Sequence, residues 1–273
     1  MRTIAHLSDL HFGRHRDAIV EDLLHSIHEH QPDLVAVSGD FTQRAKRSEF
    51  AEAERFLQRI GVPKLTVPGN HDVPLYNLFN RAFRAFQNYD RYIDPYNQPG
   101  GIFQDGELLA FGINTARRFT RKNGRLSHAQ IAQINSVFSA APDQVAKVLI
   151  THHPLDFAIG QAAVQVAGRS RLALDAVARS GVRVLLSGHH HRAHSGATSR
   201  LESAGSVLVI HAGTAVSTRV RDTGKNDYNL IALAPNRASI TVMTWENGQG
   251  FAPGRPRSYR FAQAHWQSED QSG

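Results

Sequence analysis

The sequence predicts an α/β fold built on a parallel sheet, and two observations predict it. Short apolar runs alternate with segments of helical periodicity from Thr3 onward, and five of those runs each end in a small polar cluster. Right-handed crossovers put the carboxyl ends of parallel strands along one sheet edge, so clusters far apart in the chain converge there.

Thr3 to Leu7 reads as the first strand. Val20, Leu23, Leu24 and Ile27 recur at helical spacing up to His30, and His25, His28 and His30 on that helix are expected to face solvent. Asp33 to Ser38 is a second strand; Phe50, Ala53, Leu57 and Ile60 mark a helix that Gly61 stops; Val62 to Val67 is a third strand. The chain then changes character. Phe79, Phe83 and Phe86 form an aromatic helix whose stripe is expected to be core rather than a base-stacking platform. A turn falls at Pro99-Gly100-Gly101, and Glu107 to Ile113 is a strand. Ser127 caps a helix carrying Ile131, Ile134 and Phe138, followed by strand Ala146 to Thr151, an unpatterned stretch from Leu155 to Arg169 read as a lid or partner-facing segment, helix Leu172 to Arg179 and strand Val182 to Ser187. Val207 to Ile210, Tyr228 to Leu233 and Ser239 to Trp245 read as antiparallel strands of a mixed sheet packed against the first. Residues 1–248 are expected to form one domain, and residues 249–273, rich in Pro, Gly, Gln and Ser, a partly disordered C-terminal tail.

A chain of 273 residues without a Pro- or Ser-rich linker suits a single large core. The absence of cysteine excludes disulfides, thiolate metal sites and cysteine redox control. No run reaches membrane-span length, and the first polar cluster follows Met1 too closely for a cleavable leader, so a cytoplasmic location is expected. A formal charge of +7 and a sequence pI of about 10.0 favour anionic partners such as phosphate esters. The basic residues are dispersed, with local clusters at 117–122 and 255–257, so nucleic acid is a partner that the charge pattern does not favour.

The five clusters are Asp9-x-His11, Gly39-Asp40, Gly69-Asn70-His71-Asp72, Thr151-His152-His153-Pro154 and Gly188-His189-His190-His191. Their two Asp, one Asn and several His suit a pair of closely spaced metal ions that activate water against a phosphorus centre. A carboxylate can bridge two ions, and Asp40 at the tip of a buried strand is the candidate bridge. Asp9 and His11, two apart in extended chain, point the same way; Asn70 offers a neutral oxygen; His152, His189 and His191 complete the shells. His71 follows a ligand directly and is expected to face the leaving group as a proton donor, with Asp72 holding its tautomer. His153 and His190, each beside a ligand, are expected to point elsewhere. Arg219 or Arg221, and Asn114 or Arg117, are candidates for contact with substrate.

With these five motifs in this order, the chain resembles the calcineurin-like metallophosphoesterase family over about residues 3 to 245. It is most similar to the bacterial branch that includes the class III cyclic-nucleotide phosphodiesterases. The resemblance implies a four-layer αββα sandwich of two mixed β-sheets with two metals at the sheet edge. It implies Asp9, His11, Asp40 and His191 around the first metal, Asp40, Asn70, His152 and His189 around the second, and His71 as transition-state stabiliser or general acid. The activity implied is phosphodiester hydrolysis by direct attack of metal-bound hydroxide, with a small-molecule diester such as a cyclic nucleotide as substrate. The ligand types themselves suit Mn, Fe or Zn, and a homodimer is one assembly open to the chain. Phosphomonoesterase or nuclease action on the same site is the rival within enzymes, and a metal-stabilised, non-catalytic interaction scaffold is the rival outside them.

Overall fold

Apolar residues alternate along the strands with period two, and that alternation builds two sheets back to back with helices outside both. The computed structural model describes residues 1–75, 78–120, 122–158, 165–198, 205–219 and 225–269. The amino-terminal part runs β1 (Arg2–Leu7), α1 (Asp17–His30), β2 (Leu34–Val37), α2 (Arg47–Gln58) and β3 (Lys64–Thr66). Two short helices follow, α3 (Leu78–Phe83) and α4 (Gln87–Tyr92), then β4 (Ile102–Gln104), β5 (Leu108–Ile113), α5 (His128–Ser139), β6 (Ala146–Thr151), α6 (Ser170–Arg179) and β7 (Val184–Ser187). The chain ends with β8 (His194–Ala197), β9 (Leu208–His211), β10 (Asp227–Ala234), β11 (Arg237–Glu246), β12 (Gly250–Pro253), β13 (Arg257–Ala262) and β14 (His265–Ser268).

The first sheet has the order β14-β13-β11-β10-β1-β2-β3, with β12 also on β11; the second has the order β4-β5-β6-β7-β9-β8. Ile4, Leu34, Ala36, Leu65 and Val67 of the first sheet meet Leu108, Ala110, Val148, Ile150, Leu186 and Ile210 of the second in an inter-sheet core. The intervening residues point outward: Leu7, Val35 and Val37 pack against Leu23, Ile27, Phe50 and Leu57 of α1 and α2. Leu109, Phe111, Leu149, Leu185 and Val209 pack against Ile134, Phe138, Leu174 and Val177 of α5 and α6. Three apolar layers separate four layers of secondary structure, which is the αββα sandwich. Helix α5 begins where Ser127 and Gln130 cap each other reciprocally, Gln130 N donating to Ser127 Oγ at 3.1 Å and Ser127 N to Gln130 Oε1 at 2.9 Å.

Register brings the polar clusters to one edge. In the parallel pairs Leu7 lies opposite Val37 and Val37 opposite Thr66, so the segments after β1, β2 and β3 emerge level with one another. Ile150 opposite Leu186 does the same for the segments after β6 and β7.

Two sequence expectations are corrected. The 249–273 segment is not a tail: its residues 250–268 add β12, β13 and β14 to the first sheet, with Tyr259 and Trp266 buried on the inter-sheet core. The β13–β14 hairpin turns at Gln263 and Ala264, both in the left-handed region at φ 52° and 62°, so it lacks the Asn-Gly or Asp-Gly signature that marks such turns. Residues 270–273 lie outside the described residues, as do Arg221 and the middle of the 155–169 stretch at 159–164. The flanks of that stretch, Leu155, Ala158 and Ala167, are packed into the core under α6. The second correction concerns the aromatic stripe: Phe79 and Phe83 are 63% and 74% exposed, and only Phe86 packs against the core of α1 and α2.

Candidate metal centre

The five clusters meet in a buried pit between the two sheets. Asp9 and His11 follow β1, Asp40 follows β2 and Asn70 follows β3; His152 comes from the end of β6, and His189 and His191 from the loop after β7. Backbone hydrogen bonds stitch these loops together: Asp9 N donates to Gly39 O at 3.0 Å, His11 N to Asp40 O at 2.9 Å and Gly188 N to His152 O at 3.1 Å.

Five of the seven candidate donors hold the left-handed backbone region: Asp9 (φ 52°), His11 (48°), Asp40 (54°), His189 (72°) and His191 (56°). For a residue with a Cβ this conformation costs about 1 kcal/mol or more, and such outliers concentrate at functional sites. The extended-chain geometry expected for Asp9 and His11 is therefore replaced by tight left-handed corners that aim both side chains inward. Glycines make room for this. A Cβ on Gly188 would overlap Ser8 Oγ, and one on Gly69 would overlap Asp40 Oδ1.

One group of donors comprises Asp9 Oδ1, His11 Nε2 and His191 Nε2, separated by 3.6 Å, 3.2 Å and 3.4 Å. A second gathers around His152 Nε2, with Asp40 Oδ2 at 3.4 Å, Asn70 Oδ1 at 3.2 Å and His189 Nδ1 at 3.3 Å. Asp40 Oδ2 is also 3.9 Å from His11 Nε2, so this one oxygen lies between the groups. Donors held at about 2.1 Å from one ion stand about 3.0 Å apart in octahedral and about 3.4 Å apart in tetrahedral geometry, close to most of these separations.

The imidazoles are oriented from behind. His152 Nδ1 donates to Ser38 O at 2.7 Å and His11 Nδ1 to Thr42 O at 3.3 Å, which leaves each Nε2 as an acceptor facing the pit. His191 Nδ1 lies 2.8 Å from Thr214 Oγ1 and 3.3 Å from Arg219 O. Asp9 Oδ2 accepts from Ser8 Oγ at 2.6 Å and from His189 N at 2.9 Å, whereas Asp9 Oδ1, buried and aimed at two imidazoles, has no hydrogen-bond partner among the described residues. An orphaned buried carboxylate oxygen is costly unless a cation meets it, so the donor set fits a metal.

Electrostatics point the same way. Burial alone would raise the Asp40 carboxyl, yet His152, His71 and His11 hold it well below the usual carboxylate range. Burial opposes charge on His152 as well, but Asp40 and Asp9 push it up to about 9. Two ionised, water-excluded carboxylates thus demand positive charge beside them, from a proton or from a metal. His189, by contrast, is pushed down to about 3 by burial and by His152, which leaves it neutral and available as a donor.

His71 stands beside both groups. Residues 70–72 form one tight 3₁₀ turn, so the alternation of an extended chain does not apply, and the His71 ring lies 4.8 Å from that of His11. Its Nδ1 donates to Gln43 O at 2.8 Å, and its backbone N–H donates to Asp40 Oδ1, also at 2.8 Å. The expectation that Asp72 fixes the His71 tautomer is corrected here. The Asp72 carboxylate accepts from Gly69 N, Phe41 N, Thr42 N and Thr42 Oγ1 at 2.9–3.2 Å. Asp72 therefore clamps the loops that present Asp40 and Asn70, and the Gln43 carbonyl does the work assigned to it. Burial and Asp40 push the Asp72 carboxyl up to about 6.

His153, set aside in the sequence, comes within reach: His152, His153 and His189 bring ring nitrogens within 4.8 Å of one another. Its Nδ1 lies 2.9 Å from Thr115 Oγ1, and burial holds the ring well below the ordinary histidine range. Of the cationic candidates, Arg219 lines a cleft of about 370 Å³ with Asn70, His71, Gln43, Arg44 and Lys122. Arg44 belongs to no motif, Lys122 belongs only to the basic cluster at 117–122, and a carbonyl such as Gln43 O or Ser38 O carries no sequence signal at all. Asn114 and Arg117 are turned away from this cleft: Asn114 caps Ala116 N at 2.9 Å, and Arg117 donates to Gln130.

A four-layer sandwich with two abutting Asp/His/Asn donor groups at one sheet edge defines a metallophosphoesterase fold. The chain belongs to the calcineurin-like phosphoesterase family, whose profile matches residues 2–193. It is similar to a probable glycerophosphodiester phosphodiesterase of Arcobacter nitrofigilis, 28% identical over 164 residues, which cover 59% of this chain and 58% of that one. It is also similar to a glycerophosphodiester phosphodiesterase of Enterobacter lignolyticus, 29% identical over 170 residues, covering 56% and 57%. The match spans somewhat over half the length of these curated relatives. A dimetal phosphatase from Danio rerio shares the fold, with a TM-score of 0.65 at 14% identity over 96% of this chain and 99% of that one.

Proposed function

We propose that the protein is a metal-dependent phosphodiesterase acting on a small-molecule diester, with cyclic nucleotides and glycerophosphodiesters as the substrates to test first. The observation that carries this reading is the position of Asp40 Oδ2 between two donor groups, with His71 and a basic cleft directly beside them. Asp9, His11, Asp40 and His191 would hold one ion, and Asp40, Asn70, His152 and His189 the other. Such a pair supplies activated water and neutralises phosphoryl charge, and this donor set suits Mn, Fe or Zn.

The chain's own residues do the rest. Arg44, Lys122 and Arg219 draw the phosphate anion into the cleft, and the Arg219 guanidinium is steadied by Gln43 Oε1 at 3.4 Å. Because Gln43 O fixes Nδ1 of His71, Nε2 is the atom that exchanges a proton with the departing oxygen. Val73 and Leu75 give the cleft an apolar wall for the alcohol portion. The names of the two relatives favour a diester over a monoester, and the absence of cysteine removes one class of covalent nucleophile.

The test compares matched chromogenic phosphate diester and monoester with protein reconstituted in Mn, Fe or Zn, against His71→Ala. Diester turnover that falls at least a hundredfold in the variant, with metal content retained, supports the reading. Monoester preference would move it to a phosphatase. Equal turnover by the variant would leave the metal-stabilised scaffold as the better description.

A further inference from the structure

Among the described residues, the exposed large hydrophobics are Met1, Leu78, Phe79, Phe83, Phe119 and Leu172, and four of these six cluster at one place. Leu78, Phe79 and Phe83 lie on α3 and are 73%, 63% and 74% exposed; Phe119, in the loop after β5, is 77% exposed. The two carriers form one built rim. Arg81, itself buried, donates to Pro74 O, Thr120 O and Arg118 O, and Arg118 donates back to Ala82 O at 2.9 Å. A buried arginine committed to carbonyls that hold four apolar side chains in water is not explained by the core, because none of the four belongs to it.

Charge identifies the occupant. The cavity behind Phe83 is lined, among the described residues, by Arg84, Arg117 and Arg118 against one acid, Asp90, and the Arg118 guanidinium stands 5.2 Å over the Phe119 ring. Lys122, three residues on, is exposed on the wall of the basic cleft. Exposed Phe and Leu interleaved with guanidinium groups match the boundary of an anionic bilayer, where rings enter the acyl edge and cations meet headgroup phosphates. A second copy of this chain would instead set like charges against each other across a two-fold contact. We infer that the rim formed by α3 and Phe119 docks the protein on anionic lipid surfaces, with the mouth of the basic cleft beside the membrane. Leu75 and Lys122 of the cleft wall each lie three residues from α3 or Phe119, about 11 Å of chain at most, so the mouth lies close to the rim.

The experiment is co-sedimentation of the full chain with vesicles of phosphatidylcholine containing 30% phosphatidylglycerol, and with pure phosphatidylcholine vesicles, at low and high salt. Partition onto the anionic vesicles, weaker in high salt, is expected to fall at least tenfold in the double variant that combines Phe83→Ser with Phe119→Ser. Arg84→Gln alone is expected to cost roughly fivefold at low salt. Turnover of a water-soluble chromogenic diester, or the circular-dichroism melting curve if none is found, shows that the double variant is folded. Absence of partition, or equal partition by the folded double variant, overturns the inference. So does sedimentation velocity showing a wild-type dimer that the double variant abolishes, since the rim would then be a contact between copies.

Discussion

Replacing Gly69 by alanine tests whether the pit is held as tightly as its contacts indicate. The added Cβ would lie 2.7 Å from Asp40 Cγ and closer still to one of its oxygens, about 1 Å inside ordinary contact, so the carboxylate must move. Moving it sacrifices the 2.8 Å hydrogen bond from His71 N–H to Asp40 Oδ1 and shifts the oxygen that stands between the donor groups. Overpacking costs about 1–3 kcal/mol and a lost hydrogen bond to a charged group about 1.5–3 kcal/mol, so the metal-free protein should lose roughly 3–5 kcal/mol. In a chain of this size that lowers Tm by about 10 °C. Gly61→Ala is the matched control, because nothing among the described residues lies within 4 Å of its would-be Cβ and its backbone is not left-handed; it should be neutral or slightly stabilising. The assay is thermal melting of both variants after chelation, followed by metal analysis after reconstitution, where Gly69→Ala should retain less of both ions. A Gly69→Ala protein that melts with wild type and binds two metals at full affinity would refute the geometry of Asp40.

Asp227 predicts a pH effect away from the pit. Burial pushes its carboxyl up to about 7, although Gly213 N donates to it at 3.1 Å. The native state therefore holds this proton more tightly than the unfolded chain, whose carboxyl titrates near 3.9, and the associated stability is present below about pH 4 and lost as pH rises through about 7. His6 and His211, pushed down to about 3 and about 4 by burial, give the opposite slope between those values and about 6.5, so the informative quantity is a difference. Urea unfolding should show Asp227→Asn gaining roughly 2–4 kcal/mol on wild type between pH 4 and pH 8, and a pH-independent difference would count against it. Truncation after Gly248 removes Tyr259 and Trp266 from the inter-sheet core and leaves Ile240 uncovered. At about 1.5–3 kcal/mol per large side chain, the shortened chain should lose about 5 kcal/mol and aggregate on expression; a soluble truncate with wild-type Tm would contradict the placement of β13 and β14.

The sequence disclosed what depends on side-chain identity and period. The alternation of Ile4, Ala5 and Leu7, or of Leu108, Leu109 and Ala110, carries both sheet faces, and the apolar runs locate the clusters that the register of Leu7 with Val37 and of Val37 with Thr66 brings level. Backbone conformation stayed hidden. Nothing in the letters says that Asp9, His11 and Asp40 turn left-handed, or that Gln263-Ala264 makes a hairpin without glycine. Backbone carbonyls are equally silent, so the role of Gln43 O was assigned to the nearest carboxylate, Asp72. The spacing of Phe79 and Phe83 matched a core stripe because periodicity reports that one face is apolar, not what covers it.

The seven candidate donors are divided four and three between the two sheets. His11 and His191 are separated by 180 positions in the chain, Asn70 and His152 by 82. A shared ion pair would therefore act as a clasp closing very long loops, much as a cross-link does, and its contribution would grow with the entropy of the chain it restrains. Neither sheet alone offers a complete set, so a chain halted with one sheet folded would bind only weakly. Tight metal uptake during refolding would accordingly report the moment the two halves of the sandwich meet, before any substrate is added.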